Sequence, residues 1–245
     1  MFGWIACAYT ELLPALDAVD KLRMAVLVAE GVAEIHAVDL ANTLGEEIAI
    51  VKNDPFTENI PSHIEKPALI HNDINMDNVL LGHRDGVEIP ILNDFNIAVF
   101  QKKNVRTGEP CRFHGRFANP QWMSPEQQER SEDELSTGFL TEKIDIYALG
   151  NILYKIAVGS SPWKYDYKGA KRITPDMKAK IARAKLRGAK PKLPVEVRNS
   201  TDPRIKAILT AMDRCYRNNP QLRPSARELA SYLKSQLNAV ETLNL

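Results

Sequence analysis

Asp73 and Asn78 stand five residues apart, between the apolar runs Ala68-Leu69-Ile70 and Val79-Leu80-Leu81. A second carboxylate, Asp94, follows a third run, Ile89-Pro90-Ile91-Leu92. These are hard oxygen donors of the type that magnesium takes. Moving a phosphoryl group from a nucleotide needs metal ions to bridge the phosphates. It also needs a carboxylate to orient the attacking hydroxyl and groups to neutralise charge on the transferred phosphoryl. Asp73, Asn78 and Asp94 are suitable types for the first two tasks. The same residues in an ordinary loop would cap turns.

The surrounding elements decide whether these side chains can meet. "GHRDG" between the second and third runs is a hairpin turn signal, so strand ends can present Asn78 and Asp94 together. Upstream, Leu22, Ala25, Val28, Val32 and Ile35 recur at steps of three and four, which predicts a helix from about 20 to 37. Residues 38–66 are mixed, with turn signals and a short strand candidate at "EIAIV", and read as an insertion. Residues 96–140 show little periodicity and read as a long loop with short helical turns.

From Thr141 the pattern changes. "TEKIDIYALGNILYKIAVG" is apolar on almost every face, as expected of a central buried helix, and Gly159 stands at its C-cap. Thr174-Pro175 and Asp202-Pro203 each open a further helix with proline in the first turn. Ser225 and Glu228 form a capping box before the last one. The fold class read from this pattern is α+β, mainly α, with a small β-hairpin region near 68–95.

Composition narrows the classes. The 245 residues hold 44% hydrophobic side chains, enough for a packed core. A net charge of +1 does not argue for nucleic acid or membrane, so no nucleic-acid partner is expected, and no run approaches the roughly 20 apolar residues of a membrane span. Cys7, Cys111 and Cys215 are too scattered for a disulfide framework or a zinc site, which suits a reducing, cytoplasmic setting. From 171 to 192, nine Lys or Arg face a single acid, Asp176. This stretch reads as a solvated helix face, or as a docking surface for an acidic partner.

"HNDINMDN" resembles the catalytic loop of protein kinases, H-R-D-L-x-x-x-N, and "DFN" at Asp94-Phe95-Asn96 resembles D-F-G. Ser124-Pro125-Glu126 is similar to A-P-E. "DIYALGNILYKIAVGSSPW" is similar to the family's central helix, and "RNNPQLRPSARELA" to its closing helices. The resemblance runs from about 12 to 236. Choline and aminoglycoside kinases share H-x-D-x-x-x-x-N but lack the S/A-P-E segment, the Asp145 helix and the R-P-[ST] motif.

The resemblance implies ATP and Mg²⁺ as cofactors and a protein hydroxyl, Ser/Thr or Tyr, as acceptor. It implies Asp73 as the base, Asn78 and Asp94 as metal and nucleotide ligands, and Leu80 beneath the adenine. His71 and Phe95 would stack in a regulatory column, Asp145 would brace the His71 backbone, and Glu126 would pair with Arg223. Four departures stand out. The G-x-G-x-x-G loop and V-A-I-K lysine are missing, so the chain reads as a C-terminal lobe (a partial domain over 1–245), with the N-terminal β lobe absent. Asn72 replaces the usual arginine, which implies that activation-segment phosphorylation is not the switch. Asn75 replaces a lysine and Asn119 a threonine, so two amides are expected to donate to Asp73 and to each other in an intact but slower site. Asn96 replaces the D-F-G glycine. A catalytically silent lobe serving as a protein-binding module is the alternative reading.

Overall fold

A computed structural model describes residues 16–36, 68–84, 87–101, 104, 106–107, 111, 113–115, 119–128, 140–168, 170 and 172–243. The expected insertion at 38–66 lies outside the described residues, as does the strand candidate within it.

Helix α1 spans Ala18–His36. Asp17 caps its start: Oδ1 accepts from the backbone N–H of Val19 at 2.8 Å and of Asp20 at 2.9 Å. Leu22, Ala25, Val28 and Val32 of the expected stripe are buried. Helix α2, Lys143–Val158, is buried on every face from Ile144 to Ala157 and ends on Gly159 at φ 77°. The left-handed conformation there favours glycine, which has no Cβ to clash.

Helices α3 (Pro175–Leu186), α4 (Val195–Arg198), α5 (Pro203–Cys215) and α6 (Ala226–Leu243) follow. Thr174 caps α3 by accepting from Met177 N–H, and Asp202 caps α5 by accepting from Arg204 N–H. The Ser225–Glu228 capping box opens α6. Helices α1 and α5 pack on α2 and on each other, and α6 packs on α1 and α5. At Gly150 the α2 backbone comes so close to Cys215 and Tyr216 that a Cβ would sit 2.7 Å from Cys215 Cβ.

The strands form two ladders, not one hairpin region. β2 (Val79–Arg84) and β3 (Val87–Leu92) pair antiparallel as "GHRDG" predicts, with Val79 opposite Leu92. β1 (Ala68–Ile70) instead pairs with β4 (Val99–Gln101). A strand of three residues is too short to show alternation, so 96–140 read as loop at that point.

Candidate active site

Asp145, in the first turn of α2, organises the loop. It is buried, and its carboxylate accepts from the backbone N–H of His71 at 2.7 Å and of Asn72 at 2.9 Å. Its Oδ2 also lies 3.0 Å from His36 Nε2, at the end of α1. Turning both N–H groups toward one carboxylate puts Asn72 at φ 66°. Asparagine tolerates that region better than most residues, and two charge-assisted bonds offset the strain.

The next residue is Asp73, half-buried. Asn75 Nδ2 donates to its Oδ1 at 3.1 Å and Asn78 Nδ2 to its Oδ2 at 3.2 Å. Both amides also donate to the Asp73 backbone carbonyl, at 3.1 and 2.9 Å. Burial raises the pKa of Asp73 above the ordinary aspartate value, and the nearby Asp94 adds to this; the bonds from Asn75 and Asn78 and the nearby His71 pull the other way. The result is a carboxylate more basic than a solvated one, held in a fixed orientation.

Asn75 works twice: its Oδ1 accepts from Asp77 N–H at 2.9 Å and caps the 3₁₀ turn Met76–Asn78. Asn119 behaves otherwise than expected. Its Oδ1 accepts from Gln121 N–H at 3.2 Å, and it makes no hydrogen bond to Asp73 or Asn75. The side chain is short, and the turn at 119–121 takes its oxygen.

The hairpin register brings Asp94 to Asn78. Val79 faces Leu92, and beyond them Asn93 N–H donates to Asn78 O at 2.9 Å. Asp94 follows at φ 64° and is exposed. Both Asn78 amide donors serve Asp73, so its Oδ1 is left for a cation, and the Asp94 carboxylate accepts no hydrogen bond among the described residues. Two hard oxygens on neighbouring positions fit Mg²⁺, with nucleotide phosphates and water completing the shell. Among the described residues no group of three or more His, Cys, Asp or Glu could hold a metal unaided. Leu80 sits half-buried on β2, opposite Ile91.

His71 is buried, its ring 4.6 Å from that of Phe95, and Nε2 donates to Asn93 O at 2.9 Å. Asn72 is committed inward. Its Nδ2 donates to Ile97 O at 3.3 Å, and its Oδ1 accepts from Gln127 Nε2 at 3.2 Å. Gln127 Oε1 in turn accepts from the N–H and hydroxyl of Ser124. A neutral amide network thus joins the loop to the 124–127 turn.

Two cations hold the segment from 120 to 126. Arg223, with its side chain fully buried, makes a bidentate pair with Glu126 at 2.5 and 2.9 Å. Lys185 on α3 is also fully buried, contrary to a solvated reading of 171–192. Its ammonium donates to the carbonyls of Pro120, Gln121 and Met123, at 3.0, 3.0 and 2.6 Å. Elsewhere in that stretch Lys180 pairs with Asp176 and Lys190 with Asp213, both exposed. Asn151 Nδ2 donates to Trp122 O at 2.7 Å. Trp122 and Met123 then share a small recess with Asp73 and Ala148.

His36, Gln127, Asn151 and Lys185 were not singled out by sequence reasoning. One signal existed for Lys185: it stands four residues after Ile181, on the face that α3 buries. Among the described residues no helix is long and apolar enough to cross a membrane.

A model of the protein kinase domain matches residues 62–233. The serine/threonine-protein kinase BCK1/SLK1/SSP31 of Saccharomyces cerevisiae is 27% identical over 184 residues, covering 75% of this chain and 11% of its own length. The serine/threonine-protein kinase PkaA of Streptomyces coelicolor is 30% identical over 166 residues, 68% of this chain and 25% of its own. The dual specificity protein kinase pyk3 of Dictyostelium discoideum is 25% identical over 174 residues, 71% of this chain and 10% of its own. The matches thus take in between 10% and 25% of the length of these three relatives.

Proposed function

Because the chain belongs to the protein kinase family, we propose that it transfers the γ-phosphoryl group of ATP to protein hydroxyls, on serine or threonine first and tyrosine second. One observation carries this reading: the Asp73 carboxylate is clamped between Asn75 and Asn78, and the hairpin register sets Asp94 beside Asn78. In this reading Asp73 orients the acceptor hydroxyl and takes its proton as the oxygen bonds to the γ-phosphorus and ADP leaves. Asn78 Oδ1 and the Asp94 carboxylate hold Mg²⁺, which neutralises phosphate charge when bound. Leu80 packs under the adenine. Asp145, Glu126 and Arg223 keep these groups in register without touching substrate.

The acceptor class follows from the names of relatives, which include serine/threonine and dual-specificity kinases. The test is Asp73→Asn in the intact protein. Transfer to a generic acceptor such as myelin basic protein should fall at least about 100-fold, the usual share of a positioned base. The Mg·ATP-induced shift in melting temperature should persist. Unchanged transfer in Asp73→Asn would remove Asp73 from the chemistry.

A second reading draws on Asn75. An amide, not a cation, approaches Asp73 from that position, so the loop brings no positive charge of its own to the transferred phosphoryl. On that reading the chain is a silent lobe that binds proteins. It predicts no melting shift at millimolar Mg·ATP and no transfer by the wild-type chain.

A further inference from the structure

Charge is unevenly spread along the chain. Residues 171–217 hold fourteen Lys or Arg and four acids, whereas the rest of the chain holds eighteen and twenty-seven. The +1 total therefore conceals a strongly basic region that covers α3, α4 and α5. Like charges at this density repel each other and add nothing to the fold. Packing gathers several of them into one patch. Gly188, in the turn after α3, lies against Asn218, just past α5: a Cβ added at Gly188 would sit 3.9 Å from the Asn218 side chain. Lys190 pairs with Asp213 of α5. These two contacts bring Arg187 and Lys190 beside Arg214 and Arg217, which line a hollow along α5 with Lys206 and Leu209. All five cations are exposed. Asp213 is the one acid lining that hollow, and Lys190 occupies it.

The same patch exposes apolar side chains that a polyanion alone would not use. Leu186, the last residue of α3, is 42% exposed, and Leu222, in the 3₁₀ turn before α6, is 66% exposed. They flank the place where the turns at Gly188 and Asn218 touch. A folded partner would need a shaped pocket for each leucine, whereas a fluid apolar layer takes them without one. Nucleic acid would reward aromatic side chains that stack on bases. The exposed large apolar residues here are leucines. Cations together with protruding apolar groups suit a surface of anionic headgroups. The charges attract, and the apolar groups bury at the acyl boundary.

We propose that the junction of α3 and α5 is a docking surface for an anionic lipid bilayer. Arg187, Lys190, Lys206, Arg214 and Arg217 meet the headgroups, and Leu186 and Leu222 enter the acyl boundary. The contact is peripheral and reversible. It uses none of the residues assigned to phosphoryl transfer, so the two readings stand or fall separately.

The test is co-sedimentation of the intact chain with sucrose-loaded vesicles. Vesicles of phosphatidylcholine and phosphatidylserine, in a ratio of about two to one, should carry the chain down, and phosphatidylcholine vesicles should not. Binding should weaken as salt is raised. Arg187→Gln and Arg217→Gln should each weaken it about fivefold, the share of one cation at an anionic membrane surface. Leu186→Ser combined with Leu222→Ser should weaken it about tenfold at low and high salt alike, because apolar burial is not screened. Circular dichroism identifies any variant that fails to fold, and the comparison of the two lipids needs only the unaltered chain. Equal sedimentation with both vesicle types, or with neither, overturns the proposal. So does a folded double serine variant that binds phosphatidylserine vesicles as well as the unaltered chain does. In that case equal binding to polyglutamate assigns the patch to an acidic protein, and equal binding to an oligonucleotide assigns it to nucleic acid.

Discussion

At the scale of single residues, Asp73 is tuned by two neighbours that act in the same direction. Burial lifts its pKa, and the bonds from Asn75 and Asn78 hold it down. Removing one bond should lift it further. Asn75→Ala should therefore move the acid limb of the kcat/KM profile to higher pH, because a larger share of Asp73 is protonated at a given pH. Asn75→Lys should move it to lower pH, since a cation favours the carboxylate. Equal limbs in the two variants would mean that the limb does not report Asp73. Asn72 shows another residue-scale choice. An arginine there would reach outward for a phosphate, whereas this amide is buried and bonded to Ile97 and Gln127. The ordering contact is already made without a phosphate.

At the scale of elements, the helices followed from pattern and caps. Pro175, Pro203 and the Ser225–Glu228 box mark three starts, and Gly159 marks one end. Gly150 carried no such mark. Its lack of a side chain lets α2 and α5 approach, and a Cβ would meet Cys215 at 2.7 Å and the Tyr216 ring at 3.2 Å. Gly150→Ala should destabilise the chain by about 1–3 kcal/mol through overpacking. That loss should outweigh the helix-propensity gain of about 1 kcal/mol that alanine brings. Urea unfolding reads the difference, and a variant as stable as wild type would mean that the helices can part without cost. The β1–β4 ladder was not legible. Three residues give one and a half alternations, and the partner strand lies 29 positions further on.

At the scale of the whole molecule, long-range polar ties join the catalytic loop, the 120–126 segment and the helices. Asp145 reaches residues 71 and 72, Arg223 reaches Glu126, and Lys185 reaches 120–123. Lys185 gives this scale a pH signature. Burial holds its pKa well below that of an ordinary lysine. Between its folded value and the unfolded value of about 10.4, the unfolded chain binds more protons than the folded one. Stability must then rise with pH in that window, by up to about 1.4 kcal/mol per unit. Wild type should gain stability on raising the pH within the window, and Lys185→Met should gain less. Measurements kept below about pH 7.5, roughly a unit under the ordinary cysteine value, avoid the unfolded-state titration of Cys215 and the tyrosines. Parallel slopes in the two proteins would show that Lys185 does not titrate there.

The order of motifs from His71 to Arg223 was enough to expect a kinase-like loop and a buried central helix, because these depend on local spacing and on burial pattern; the Glu126–Arg223 pair was expected only from the family resemblance. The tertiary structure decided which polar side chains are partnered. Asn119 and Asn75 looked equivalent in sequence, yet Asn75 binds Asp73 and Asn119 caps a turn. Lys185 was one more letter among basic neighbours. Only the packing shows that three carbonyls surround its ammonium. Helical period and capping chemistry are written over a few residues, so a sequence displays them. Partnership between charges 60 or more positions apart is set by how the elements dock.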